Sequence, residues 1–216
     1  MKFRLILFLY YMLLAFIGFG KGAGLLNFAP NIDEMCKAPV EQMKPFVIVL
    51  YGLNDENWCE RSLRSIFEQD YQNFRVVFID DYSYDKTSDK VKDFVQTHSQ
   101  QHRILILQNA KRVGLDFSIK QAIGFTQKDE IILLMHAHDW LVEPQSLSYL
   151  NQMYQNKKTK IVTGPKIEYP SYQFVDIEEP ICFYQFLYKQ NLQSILSGNK
   201  MDVIKIKKPI SFCVLK

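Results

Sequence analysis

Residues 46–87 read FVIVLYGLNDENWCERSLRSIFEQDYQNFRVVFIDDYSYDKT, and the order of apolar runs and polar breaks in this stretch decides the fold. "FVIVLY" (46–51) is a β-branched apolar run ended by Gly52, the pattern of a strand buried on both faces. From about Asn57 the period changes. Cys59, Leu63, Ile66 and Phe67 recur at helical spacing, with Arg61, Arg64 and Glu68 between them. The helix this predicts stops before "QDYQNF", and "FRVVFI" (74–79) follows as a second buried strand, capped by Asp80 and Asp81.

The unit then repeats. A helix from about Lys86 to His98 sets Val91, Phe94 and Val95 on one face, and "RILIL" (103–107) makes a third strand. After Gly114 a helix carrying Leu115, Ile119, Ala122 and Ile123 leads to "EIILLM" (130–135), a fourth strand. A helix around Glu143 to Gln155 leads to "KIVTG" (160–164), a fifth. Strands alternating with helices of this length imply βαβ crossovers, and so an α/β fold whose mostly parallel sheet has helices on both faces. In such sheets a ligand sits outside the carboxyl ends of the strands. Polar residues collect at those ends: Gly52 and Asn54 after the first strand, Asp80 and Asp81 after the second, Asn109 and Arg112 after the third. His136, His138 and Asp139 follow the fourth. Four successive strands deliver polar groups to one rim, which marks it as a site.

The remaining chain bounds the setting. Its 216 residues are 48% hydrophobic, enough for one sizeable core, and the formal charge of +3 lacks the dense basic stripe of a nucleic-acid binder. Residues 1–20 read as an export segment, with Lys2 and Arg4 before an uncharged apolar run from Leu5 to Phe19. Gly18 and Gly20 suit a cleaved signal peptide; a retained membrane anchor is the other reading, with Lys21 ending the run early. Either way the domain lies on the non-cytosolic side. Residues 21–45, with Pro30, Pro39 and Pro45, suit a linker or stem. In an oxidising compartment Cys36, Cys59, Cys182 and Cys213 allow three pairings, of which Cys36 with Cys59 is the first to test; Cys182, between Ile181 and Phe183, reads as a small buried hydrophobe. No CxxC spacing exists for a structural zinc.

The Walker pattern and GxGxxG are both absent, so a nucleotide held here needs its diphosphate charge neutralised by other means, such as a metal held at the strand ends. At this point a resemblance becomes specific. The strand, the helix "NDENWCERSLRSIFEQDYQNF" and the loop "DDYSYDKT" are similar to the opening half of a family 2 glycosyltransferase of the GT-A fold. Tyr51 and Gly52 stand where that family usually has Pro-Thr, and Asn54 stands at its Asn. "RILILQNAKRVGL" resembles its third strand and Asn-x-Gly loop, and "IILLMHAHDWL" aligns with its "ILFLDADDWL". The resemblance covers roughly residues 46–165. It implies a GT-A domain over 46–197 after the N-terminal apolar helix, with 198–216 as a basic strand-like tail.

Carried over by position, the resemblance implies a nucleotide-sugar donor, with Asp81 and Asp80 on its base or ribose and Gly52, Asn54 and Arg112 around it. The structural reading of the acid pair is a cap for the helix near Lys86, a task that Ser83 or Asp85 would do better. In "MHAHDWL" (135–141) the sequence departs from the family, whose Asp-x-Asp supplies a carboxylate to a divalent metal. Here His136 and His138 replace both acids and Asp139 is the carboxylate left; imidazole suits manganese or zinc better than magnesium. Three readings stay open: a manganese site on His136, His138 and Asp139, a metal-free donor site, and a decayed site. The acceptor is a glycan, lipid or protein, and the membrane is a partner if the leader is retained. Glu168, Asp176, Glu178 and Glu179 are the acids available as catalytic base, with solvated loop acids as the plainer reading. The alternative function is a glycan- or protein-binding module on the same scaffold, suggested by the lost acids and the short chain after Asp139.

Overall fold

The computed structural model describes residues 42–156, 159, 161–163, 166–171 and the strand segments 174–175, 186–188, 203–205 and 211–214. The leader and stem, residues 1–41, lie outside the described residues. Among the described residues no helix is long and apolar enough to cross a membrane.

The period changes in the sequence become the elements. Strand β1 (Phe46–Gly52) is buried at every position. Helix α1 (Cys59–Phe67) buries Cys59, Ser62, Leu63 and Ile66, one stripe at helical spacing. It starts at Cys59 rather than Asn57 because the carbonyl of Asp55 accepts the N–H groups of both Trp58 and Cys59, closing a turn first. Strand β2 (Phe74–Asp80), helix α2 (Thr87–Thr97) and strand β3 (Ile104–Gln108) follow, then helix α3 (Leu115–Gly124), strand β4 (Ile131–His136) and strand β5 (Trp140–Leu141). Helix α4 (Ser146–Met153), β6 (Ile161–Thr163), β7 (Lys166–Tyr169), β8 (Phe174–Val175), β9 (Phe186–Tyr188), β10 (Val203–Lys205) and β11 (Ser211–Val214) complete the order.

Strands β3, β2, β1 and β4 form a parallel sheet in that spatial order, with Phe46 opposite both Phe74 and Ile131. Helices flank it on both faces. Ile48, Leu50, Val76 and Phe78 pack with α1, α2 and α4, whereas Val47, Val49, Val77 and Ile79 pack with Ala122 and Ile123 of α3. The alternation follows from the pleat, which sends neighbouring side chains of a strand to opposite faces. Beyond β4 the sheet continues through β9, β6 and β10, with β9 antiparallel to both of its neighbours. A second sheet has the order β5-β11-β7-β8. It leans on α1 through aromatic contacts: Trp58 stacks on Trp140 at 6.0 Å, and the Arg61 guanidinium lies 3.9 Å from the Trp140 ring centre. β10 and β11 come from the segment expected to be a strand-like tail.

Cys59 corrects one expectation. Its thiol is free and fully buried, facing the sheet with the Thr87 carbonyl 4.0 Å away, so it is not paired with Cys36, which lies outside the described residues. Burial pushes the thiol's pKa up to about 11. We expect mass-spectrometric mapping after native alkylation at neutral pH to leave the Cys59 peptide unmodified and to find it labelled only in denaturant; native labelling would contradict this burial.

Chain order makes the site. The chain runs outward from β1 to β2 to β3 and then returns to place β4 on the other side of β1. The reversal between β1 and β4 is a topological switch point, where the loops leaving two adjacent strands part and open a crevice.

Candidate functional site

The floor of the crevice is set by β1 and β4. Tyr51 pairs with His136 in the strand register, and the Tyr51 carbonyl then accepts Ala137 N–H at 2.7 Å, so the pairing extends one residue beyond β4. Gly52 matters for packing: a Cβ there would meet Phe78 Cε2 and Cζ at 2.9 Å, closer than carbon atoms tolerate. Gly52→Ala should cost roughly 1–3 kcal/mol by overpacking, read as a lowered urea midpoint with unchanged slope. The Gly52 carbonyl also accepts Asp81 N–H at 2.9 Å, which ties the end of β1 to the end of β2.

The acids at the rim face inward. Asp80, Asp81 and Asp139 are 0% exposed and Asp55 is 1% exposed. The neighbouring acids at the end of β2, Asp80 in the strand and Asp81 just past it, turn in opposite directions. Asp80 accepts from Ser83 Oγ, from Ser83 N–H at 3.2 Å and from Ser88 Oγ at 2.9 Å, which stitches the loop to the start of α2. The capping task falls to Asp85, one of the two residues expected for it, whose carboxylate accepts Thr87 N–H at 2.9 Å; Asp80 reaches α2 through the Ser88 hydroxyl instead. Asp81 turns to the α3 side. Its Oδ1 accepts from Asn109 Nδ2 at 2.8 Å and Val113 N–H at 2.9 Å, and its Oδ2 from Gly114 N–H at 2.9 Å and the Tyr51 hydroxyl at 3.2 Å. Burial alone would raise its pKa. The hydrogen bonds from Val113, Asn109, Gly114 and Ser118 outweigh that, and the carboxyl is held below its ordinary value. Burial, followed by the Asp81 charge, drives the Tyr51 phenol well above its ordinary value, with the Arg112 guanidinium pulling the other way, so the phenol stays protonated and donates to Asp81.

Two loop residues take up left-handed backbone to make these contacts. Asn54 (φ 56°) accepts Tyr84 N–H on its side-chain oxygen at 2.9 Å and donates its own N–H to Ser83 Oγ at 3.0 Å; Tyr82 (φ 66°) follows Asp81. Gly114 (φ 88°) supplies the third such turn, where glycine carries no steric cost.

At the end of β4, His136 stands edge-on to Tyr51 (5.5 Å, 85°) and stacks on His138 (4.6 Å, 24°). His138 Nδ1 lies 3.0 Å from Asp55 Oδ1, and since a carboxylate only accepts, this partner assigns the ring proton to Nδ1. The other Asp55 oxygen accepts Leu53 N–H at 3.0 Å. Asp139 bends back over its own turn, where it accepts His136 N–H at 3.2 Å. A continuous line therefore runs from Asp81 through Tyr51, His136 and His138 to Asp55.

Above this line opens a cavity of about 480 Å³ lined by Tyr51, Leu53, Asn54, Asp55, Arg112, His136 and His138. The size suits a small organic ligand. Of the residues singled out from the sequence, Asn54, Arg112, His136 and His138 meet here, whereas Gly52, Asp80, Asp81 and Asp139 do not line it. Tyr51, Leu53 and Asp55 were missed. Asp55 had the same signal as the others, a polar residue just past a strand end, but its neighbour Asn54 was preferred. Among the described residues no three His, Cys, Asp or Glu side chains converge on a point where a metal ion would sit. The expected set of His136, His138 and Asp139 is divided by Asp139, whose carboxylate faces its own turn. Glu168, on β7, accepts from Ser171 Oγ at 2.9 Å and is not in the cavity wall; Asp176, Glu178 and Glu179 lie outside the described residues.

Comparison with known proteins places this arrangement. Residues 46–212 match the family described as "Glycosyl transferase family 2", so the chain belongs to that family. A search of curated proteins found no match. Among solved structures, residues 1–349 of TarS from S. aureus superpose with a TM-score of 0.66 at 13% identity, over 79% of this chain and 60% of that one. The same protein "in complex with UDP-GlcNAc" gives 0.67 at 12%, over 80% and 59%. The mannosyltransferase PcManGT of Pyrobaculum calidifontis, "in complex with GDP-Man and Mn2+", gives 0.60 at 18%, over 85% and 62%. At these identities the likeness is one of fold, and this chain spans about 60% of the length of those structures.

Proposed function

We propose that the cavity binds the nucleoside diphosphate of a sugar donor and that the protein transfers the sugar to a hydroxyl of a glycan, lipid or protein. In that reaction the bond from the sugar's anomeric carbon to the diphosphate breaks, a bond to the acceptor oxygen forms, and the acceptor's proton passes to a base. One observation carries the reading: Asn54, Arg112, His136 and His138, from the carboxyl ends of three separate strands and the loops that follow them, line one cavity at the switch point of a family 2 fold. Two of the superposed structures are described with sugar nucleotides, UDP-GlcNAc and GDP-Man, which supports that donor class.

In this reading Arg112 grips the diphosphate, since a guanidinium offers paired donors to phosphate oxygens. The stacked imidazoles form a flat wall beneath it, and Asn54 borders the mouth. Asp81 acts on the donor indirectly, by fixing the loop that carries Arg112. Because the metal set expected from the sequence is divided, no step is routed through a cation.

The test is isothermal titration of the full chain with UDP and with GDP. We expect saturable heat with one of them at micromolar to low-millimolar affinity; no heat from either overturns the reading. The rival, a non-catalytic binding module on the same scaffold, draws on Asp55 being the sole carboxylate in the described cavity wall and already holding His138 and Leu53. Release of UDP from UDP-GlcNAc by the wild type, lost in His138→Ala, would exclude that rival. The basic start and apolar run of residues 1–20 support a setting outside the cytosol, in a lumen supplied with sugar nucleotides. Protease protection in sealed microsomes, abolished by detergent, is the expected result.

A further inference from the structure

We infer that this cavity takes the donor's diphosphate without a bridging divalent cation, on the guanidinium of Arg112. The inference rests on the donor reading above and concerns how the charge of that donor is met.

The argument starts from where carboxylate oxygens point. A hard cation such as magnesium is held by carboxylate, carbonyl or water oxygens, and at a phosphate site it needs one or two protein carboxylates facing the ligand. Four acids stand at this rim, and each already serves the protein. Asp80 holds Ser83 and Ser88; Asp81 holds Asn109, Val113, Gly114 and Tyr51. Asp139 accepts the N–H of His136. Asp55, the acid that reaches the cavity wall, has one oxygen on Leu53 N–H and the other on His138 Nδ1. Turning any of them toward a cation would break a hydrogen bond that is buried at Asp80 and Asp81 and partly buried at Asp55 and Asp139, at the cost of its donor's partner.

A cationic group is in place instead. Arg112 belongs to the loop between Asn109 and Gly114, which Asp81 grips at the next two residues, Val113 and Gly114, and its exposed side chain lines the cavity. Tyr51, Leu53 and the two imidazoles make much of the remaining wall. Such a wall lowers the local dielectric and strengthens the attraction between a guanidinium and a diphosphate.

The test is titration of the full chain with UDP and with GDP, each in EDTA, in magnesium and in manganese. We expect the dissociation constant of whichever nucleotide binds to agree within about threefold across the three conditions, and Arg112→Gln to raise it roughly tenfold or more in EDTA. Arg112→Lys should fall between, because an ammonium keeps the charge and loses the paired geometry. Binding that is lost in EDTA and restored by manganese overturns the inference and leaves the donor reading standing. The Asp55–His138 pair would then be orienting an imidazole toward a metal, as carboxylates commonly do. Unchanged affinity in Arg112→Gln also overturns it. No binding of either nucleotide under any condition removes the donor reading, and the inference with it.

Discussion

Asp81→Ala should be the most disruptive single substitution at the rim, lowering stability by about 3 kcal/mol and, for a chain of this length, the melting temperature by roughly 6–12 °C. The side chain accepts four hydrogen bonds from Tyr51, Asn109, Val113 and Gly114. Removing it takes one of the two acceptors from the Asn109 amide, which keeps Ser118 Oγ at 2.9 Å, and the carboxylate from the Tyr51 hydroxyl, while the partly buried Val113 and Gly114 N–H groups recover some water. Asp81→Asn keeps the shape but sets an amide donor against at least one donor, and should cost about half as much. The pH dependence has a definite sign. Asp81's carboxyl is held below its ordinary value in the folded protein, so its contribution is complete above the unfolded carboxyl's pKa of about 3.9 and is lost as pH falls through the lower folded value. Urea midpoints of wild type and Asp81→Asn should therefore differ at pH 7 and 5 and converge below about pH 4. A difference that stays constant down to pH 3 would show that charge is not the source of the effect.

The second large effect is expected at Asp55. In Asp55→Ala the His138 ring loses its Nδ1 partner, and the imidazole signals in a nitrogen-15 correlation spectrum should move from the Nδ1–H tautomer toward the Nε2–H form preferred by an unrestrained ring. With His138 loosened, the wall shared with His136 shifts, and UDP or GDP affinity should fall about tenfold, or about 1.4 kcal/mol. A merely structural role for Asp55 predicts something else: a lower melting temperature with the His138 tautomer and nucleotide affinity unchanged. That pattern would remove Asp55 from the site.

Much of the fold was legible because its elements carry period information. β1 and β2 are unbroken β-branched runs, α1 carries one clear apolar stripe, and each expected boundary lay within a few residues of the observed one. The strand β9 was not legible: residues 186–188 are three residues long, and their antiparallel place between β4 and β6 depends on tertiary pairing that no local pattern encodes. The site was half legible. Sequence order located the rim, since polar residues after four successive strands all fall at one end of a parallel sheet. It could not tell which way each side chain turns. Asp80 and Asp81 are the same residue type in adjacent positions, yet one turns to the α2 side and the other to the α3 side, and neither lines the cavity. Asp139 misled for a related reason: a tight turn lets a short carboxylate reach back to the backbone N–H of His136.

The double grip of Asp81 on Val113 and Gly114, with Asn109 N–H bonded to the Asp80 carbonyl at 2.9 Å, fastens the ends of a short bridge and leaves its middle unfastened. Ala110, Lys111 and Arg112 are thus a cassette: their side chains can be exchanged without moving the backbone that carries them. A library randomised at these positions alone should return folded proteins and vary ligand preference, whereas the same diversity at 109 or 114 would be spent on misfolded ones.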